Sequence, residues 1–418
     1  MAIYTPTKLP KVPLLVIIIT LMGAFGPMSI DLYLPAFLQI QEGLATTDAE
    51  VKKTLTFFLI GLCIGMMFYG PLSDKYGRRN IILFGAVVYS LTSIGSTLIS
   101  YVESLQVLRL LQAIGAGACM VVGRAVIRDV FKGKQVAVMM SVVQVIMMIA
   151  PLLAPLVGVM VLKFFNNWRA LFWVLTLFGS LAFFLTFFFL PETYKKGDRP
   201  DITLKGTFYN YYLILKDRRS LGAMLGCALP AGMVFAYVTG SSYLYQGTYG
   251  LSEFQFSLLF GLNIVGVIIS AFMNIVLLRR FNIATLAIFG LIWISLAGIL
   301  MLLIGDRSLW GFFFSTFMLM CVSGFIGNNI ISQIIELNYN RAGAAMALNS
   351  ATQFFVGAVA SSIVMKDQSM LTTVMGVSGL LGAIAYFFLF QPWKELPSAS
   401  SADIAQDDKI AQKSEVAD

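Results

Sequence analysis

Twelve apolar runs of about 20 residues or more follow one another along this chain, with short polar links between them. At 1.5 Å of rise per residue, a helix of that length crosses the ~30 Å of hydrocarbon in a bilayer. Inside hydrocarbon every backbone N–H and C=O must be bonded within the protein, and a helix does this within a single run. The expected spans are 12–38, 51–72, 80–100, 105–129, 136–162, 168–190, 221–245, 253–278, 283–304, 309–336, 343–365 and 369–391. The fold class that follows is an all-α membrane protein of twelve transmembrane helices. A soluble protein with a large apolar core is the competing class. Only 12% of this chain is charged and 58% is hydrophobic, against about 25% charged in soluble domains.

Lys8 and Lys11 precede the first run, as they would in a signal peptide. The run continues past Leu34 without a clean small-x-small cleavage site, so it is read as the first span. With the N-terminus inside, 21 of the 29 Lys and Arg residues fall on one side and six on the other. That bias puts both termini in the cytoplasm. The long polar stretch 191–220 then divides the chain into an N-terminal half, 1–190, and a C-terminal half, 221–392, of six helices each. Residues 203–216 within it suit an amphipathic helix on the inner membrane surface. The tail 393–418 is rich in Ser, Ala, Asp and Lys and is expected to be disordered.

Several function classes are disfavoured. The chain has no His, which argues against a zinc site and a serine–histidine arrangement. Cys63, Cys119, Cys227 and Cys321 all lie in apolar runs and read as packing residues. No GxxxxGK[ST] motif supplies an ATP motor. The formal charge of +8 is explained by the inner loops, and no aromatic–basic interleaving points to nucleic acid. No enzyme activity and no cofactor are expected.

Asp31 is the one acidic residue clearly within a span, in Ser29-Ile30-Asp31-Leu32-Tyr33-Leu34-Pro35. Burial disfavours a charged carboxylate and a nearby guanidinium favours it, so a carboxylate balanced between the two can exchange a proton at physiological pH. Arg109, at matching depth in the fourth span, is the expected partner. Arg124 lies about 60° from Arg109 around that helix, so both can face one cavity. Tyr33, Gln144, Met148 and Tyr237 complete the expected substrate cavity. Tyr243, Tyr245 and the pairs Met139-Met140 and Met147-Met148 are further lining candidates. Pro151 and Pro155, with Gly158 after them, are expected to bend the fifth span. Near the inner surface Asp74, Arg78 and Asp129 can form a charge cluster. Glu336 is expected to be solvated at the inner end of the tenth span.

The turn Gly70-Pro71-Leu72-Ser73-Asp74-Lys75-Tyr76-Gly77-Arg78-Arg79 resembles the loop signature of the major facilitator superfamily. Together with Ser29 to Pro35, Leu108 to Gly117, Arg128-Asp129, Ala150 to Gly158 and Pro191-Glu192-Thr193, it is similar to the Bcr/CflA branch of bacterial drug exporters. The resemblance implies two pseudo-symmetric six-helix halves in the bacterial inner membrane, working as a monomer. It implies export of small amphiphilic drugs, such as chloramphenicol-like antibiotics, with protons as the coupling ion and Asp31 and Arg109 as the coupling site. It also implies that Gly70, Asp74, Gly77, Arg78, Arg79 and Asp129 act as a conformational lock. A related exporter carries a second acid two turns before Asp31, where this chain has Gly23. A metabolite symporter or uniporter of the same fold is the alternative, and a ligand-binding membrane receptor is a more distant one.

Overall fold

The computed structural model of the protein describes residues 9–131, 134–193, 204–366 and 369–393. Among the described residues, twelve helices are long and apolar enough to cross a membrane, and no strand occurs. Most of the tail, and residues 194–203 of the central polar stretch, lie outside the described residues. Alternation of the spans puts the 70–79 turn, residues 191–193 and 204–217, and the 338–341 turn at one end, here the basic end.

Helix ends are set by local chemistry. The Thr47 hydroxyl accepts from Glu50 N to cap the second span, and Ser252 with Gln255 forms a reciprocal capping box on the eighth. The second and third spans meet at Gly77, whose φ of 96° is a conformation that glycine adopts without strain. Glycines also let helices touch. A Cβ on Gly65 would sit 3.1 Å from Gly117 Cα, and one on Gly115 would sit 2.6 Å from Gly85 O. The fourth span is thereby wedged against the second and third, a small-residue contact of the kind membrane helices use.

Spans pack chiefly within their own half. Between halves, the second packs on the eleventh and the fifth on the eighth.

Three spans are interrupted along their length. The first is helical over Val12–Asp31, turns tightly over Leu34–Ala36 and continues over Phe37–Gly43, so it reaches past the expected limit. Pro35, in that turn, cannot donate to Asp31 O. The fifth breaks at Met148, between Lys134–Met147 and Ile149–Phe165. Pro151 cannot donate to Met147 O and its ring crowds that carbonyl, so the break falls one turn upstream of the proline. The tenth breaks between Leu309–Met320 and Ser323–Leu337. No proline marks that break in the sequence.

The amphipathic helix is present over Leu204–Lys216. Its Thr207, Tyr211 and Ile214 are buried, and the Tyr211 hydroxyl donates to Met67 O at 3.0 Å. Pro71 leaves that carbonyl without its usual helical donor, and the connecting helix supplies one. One face of this helix therefore packs against the bundle as well as being placed for the membrane surface.

Candidate functional site

At the basic end, Arg78 organises a cluster. Its Nη1 is 2.6 Å from Asp74 Oδ1 and its Nε is 3.0 Å from Asp129 Oδ2, while Nη1 also donates to Ser73 Oγ at 2.5 Å. The third span begins at Arg78 after Gly77, which has no side chain to cap it. Glu192, just past the sixth span, fills that place by accepting from Arg78 N at 2.9 Å. An anion at a helix N-terminus satisfies an orphan donor and complements the dipole. Thr193 Oγ1 donates to Asp129 Oδ2 at 3.1 Å, and Arg79 Nη2 donates to Phe187 O at 2.8 Å. Every member of this cluster belongs to the second, third, fourth or sixth span or the turns beside them.

Beside the cluster a cavity of about 770 Å³ opens between the halves. The second and fourth spans line one wall with Met66, Val121, Arg124 and Arg128. The 339–350 segment lines the other with Arg341 and Met346, and the connecting helix contributes Asn210 and Tyr211.

At the opposite end the halves are in contact. Ser242 Oγ donates to Leu34 O at 2.9 Å, and Gln39 Nε2 donates to Glu253 Oε1 at 2.8 Å. Ser361 Oγ bonds both Thr56 at 2.8 Å and Thr239 at 2.9 Å, joining three spans. Lys52, fully buried, pairs with Asp48 at 3.0 Å and lies 4.7 Å from the Tyr243 ring centroid across the interface. The cavity is thus accessible from one end and closed at the other.

Beneath that seal sit Asp31 and Arg109, both buried. Arg109 Nη1 donates to Gln112 Oε1 at 2.7 Å and Nη2 to Ser29 O at 2.9 Å. Its guanidinium lies 4.7 Å from the Tyr33 ring centroid and 4.2 Å from that of Phe58. Gln112 passes the chain on to Ser93 Oγ at 2.6 Å, Ser29 bonds the Tyr89 hydroxyl at 2.6 Å, and Tyr33 bonds Thr54 at 2.9 Å. Among the described residues no ion pair joins Asp31 to Arg109, and the Asp31 carboxylate makes no hydrogen bond. The expected pair is therefore not formed in this conformation. The physical reason is that aromatic faces and neutral acceptors already surround the guanidinium. Asp31 ends its helix, and Gly158 lets the fifth span approach the next residue: a Cβ there would meet Leu32 O at 2.5 Å.

The family model described as "Major Facilitator Superfamily" matches residues 16–361. The chain belongs to the major facilitator superfamily. It is 33% identical over 375 residues to a bicyclomycin resistance protein homolog of Haemophilus influenzae, covering 88% of this chain and 94% of that one. It is 29% identical over 335 residues to the multidrug resistance protein MdtL of a Shewanella species, covering 80% and 84%. Among solved structures, a D-xylose-proton symporter superposes with a TM-score of 0.72 at 18% identity, over 94% of this chain and 99% of that chain. The last likeness shows the fold alone.

Within this facilitator fold, the residues expected to share one cavity are spread over several places. Arg124 lines the basic-end cavity. Asp31, Tyr33 and Arg109 lie under the seal at the other end. Tyr237 belongs to the core of the C-terminal half, where it stacks on Phe260 and accepts from Asn263 at 2.9 Å. Gln144 is exposed because its helix turns the neighbouring Val143 inward, and one residue is about 100° of rotation. Met148 sits at the break of the fifth span, half-buried. Pro151, Pro155 and Gly158 follow the break. At Gly23 a side chain would run into the Met147 thioether, so sulfur fills the space a second carboxylate would need. Glu336 is exposed, as expected, and Asn329 pairs with Asn274. The sequence reading did not assign Glu192, Thr193, Gln112 and Lys52 to the site. Glu192 and Thr193 carried a signal, as polar residues directly after the sixth span.

Proposed function

We propose that this facilitator is a proton-coupled exporter of small amphiphilic drugs, working by alternating access. The observation that carries the reading is the one-sided cavity between two halves, with a lone buried carboxylate beneath the closed end. The relatives carry the names bicyclomycin resistance protein homolog and multidrug resistance protein, which supports drugs as the cargo. The excess of Lys and Arg at the basic end marks it as cytoplasmic, so the cavity described here is the one a drug enters from inside the cell. Rocking of the halves around the cavity then opens the Asp31 side outward.

Asp31 has no partner to hold it ionised, so a proton arriving from outside neutralises it at no cost in broken pairs. Arg109 is held by Gln112 and Ser29 while the cavity faces inward, so its part in coupling falls in another state of the cycle. Drug and proton compete for this site, and the inward proton gradient drives export. The cluster around Arg78 ties the basic ends of four spans into one rigid unit, so the first half rotates as a body. All its bonds are within that half. Locking of the basic end would then require this unit to meet the 339–350 segment when the cavity closes.

The test is uptake of radiolabelled chloramphenicol and florfenicol into inverted vesicles, with and without a pH gradient. Accumulation that collapses with a protonophore and is lost in Asp31→Asn is the expected result. Because the carboxylate is unpaired, that variant should keep its thermal stability. Gradient-independent movement would replace the exporter by a uniporter, and undiminished driven transport by Asp31→Asn would remove Asp31 from the coupling site.

A further inference from the structure

We infer that the basic-end cavity contains an anion-binding subsite built on Arg124, with Arg128 and Arg341 at its mouth. The cargo it favours is an apolar body carrying a carboxylate or a comparable anionic oxygen group. This inference rests on the transport reading above and names the cargo of the same cavity.

The argument begins with charge. Four guanidinium groups, of Arg78, Arg124, Arg128 and Arg341, line the cavity, against the two carboxylates of Asp74 and Asp129. Both carboxylates are engaged by Arg78, at 2.6 Å and 3.0 Å. Among the described residues, Arg124, Arg128 and Arg341 make no ion pair and no side-chain hydrogen bond. The lining of the space between the halves thus carries a net charge of +2, with Arg124 the arginine farthest from the two carboxylates along its helix.

Position separates Arg124 from ordinary loop arginines. Arg128 and Arg341 are exposed, as expected of basic residues at the end of a bundle. Arg124 lies one helical turn deeper than Arg128 on the same face and is half-buried. Its neighbours along the wall are the apolar Met66, Val121 and Met346. A half-buried guanidinium with no partner among the described residues is stabilised by an anion entering the cavity. Low-dielectric walls strengthen that attraction and focus it. The planar fork of N–H donors fits two oxygens at once, which a carboxylate or phosphate offers and a neutral carbonyl does not. The apolar walls, with adaptable thioethers, take the rest of an amphiphile. Cations are disfavoured by the same charges. A soluble anionic amphiphile and an acidic lipid headgroup share this chemistry.

The experiment uses the purified full-length protein in neutral detergent and a matched pair of probes, radiolabelled naphthoate and the isosteric neutral naphthamide, bound at equilibrium. Naphthoate should bind the wild type about tenfold tighter than naphthamide, as expected for a charge-assisted fork. Arg124→Gln should bring the two to near equality, and Arg124→Lys should keep part of the preference. Equal binding by the wild type, or a preference undiminished in Arg124→Gln, overturns the subsite. If Arg124→Gln does not fold, the wild type decides: naphthoate binding must weaken with added salt while naphthamide binding holds steady. A salt-independent preference refutes the charge origin. Displacement of naphthoate by phosphatidylglycerol, but not by phosphatidylcholine, would assign the natural ligand to the lipid; indifference to both would assign it to a soluble amphiphile. Either result keeps the anion chemistry. No gradient enters this assay, so its failure is separable from that of the exporter reading. Driven chloramphenicol export with equal binding of the probes sinks the subsite alone. A naphthoate preference in a protein that moves no drug sinks the exporter alone.

Discussion

The two halves of this molecule handle buried polarity differently. Among the described residues, every buried charged side chain lies in the first half: Asp31, Lys52, Arg78, Arg79 and Arg109. The second half buries amides and hydroxyls instead. Asn329 Nδ2 donates to Asn274 Oδ1 at 2.8 Å, Asn263 Nδ2 donates to the Tyr237 hydroxyl at 2.9 Å, and Tyr386 donates to Gln333 Oε1 at 2.6 Å. A neutral amide pair satisfies itself and has one protonation state near neutral pH. A buried charge is held only by a surrounding structure and responds to any change in it. The first half is therefore where a proton or a charged cargo can alter the energy of a conformation. Among the described residues, the buried polar groups of the second half are electrically neutral, and its charge at the cavity is the exposed Arg341.

The strongest way to break this comparison is at Arg109. Its replacement by Ala removes a large, fully buried side chain and strands Gln112, and the cost to stability should be about 3–5 kcal/mol. Chemical unfolding in micelles measures it. A loss no larger than that of an ordinary surface mutation would show that the network around Arg109 is not a structural centre of its half.

A smaller effect is expected in the second half. Asn329→Leu leaves the Asn274 amide buried without its partner and should cost about 1–3 kcal/mol. The double variant with Asn274→Leu should recover much of that, because both polar groups are gone. Proton-driven uptake should be unchanged in the double variant. A failure of coupling there would mean that the amide half also carries charge-linked function.

The smallest effect concerns the tie between the sixth and third spans. Glu192→Gln keeps an acceptor for Arg78 N but removes the charge at the helix N-terminus, worth about 0.3–1 kcal/mol. The loss should shrink as salt is added. A salt-independent loss would point to geometry and not to the helix dipole.

Much of this arrangement is legible along the chain. The twelve spans, the proline-bent fifth span and the amphipathic helix over Leu204–Lys216 all follow from local pattern. The charge cluster was legible through Asp74, Arg78 and Asp129, because the tight turn at Gly77 and the end of the fourth span put charges at one level. Its Glu192 and Thr193 members were not, since nothing local links the end of the sixth span to the start of the third. The cavity was read least well. Gln144 and Val143 differ by one position, and helical phase over a uniformly apolar run is weakly marked by sequence. The break of the tenth span has no proline to announce it.

By itself, the sequence determined that this chain lives in a bilayer, how many times it crosses and which end is basic. Hydrocarbon imposes those properties on each segment separately, through length, apolarity and backbone satisfaction. The tertiary structure decided which charges meet. It turned Arg109 towards aromatic rings and Gln112, left Asp31 without a partner, tied Arg78 to both nearby carboxylates and left Arg124 facing an open cavity. Charge pairing depends on distances between side chains far apart in sequence, and those are set only when helices pack through their glycines and bend at their prolines.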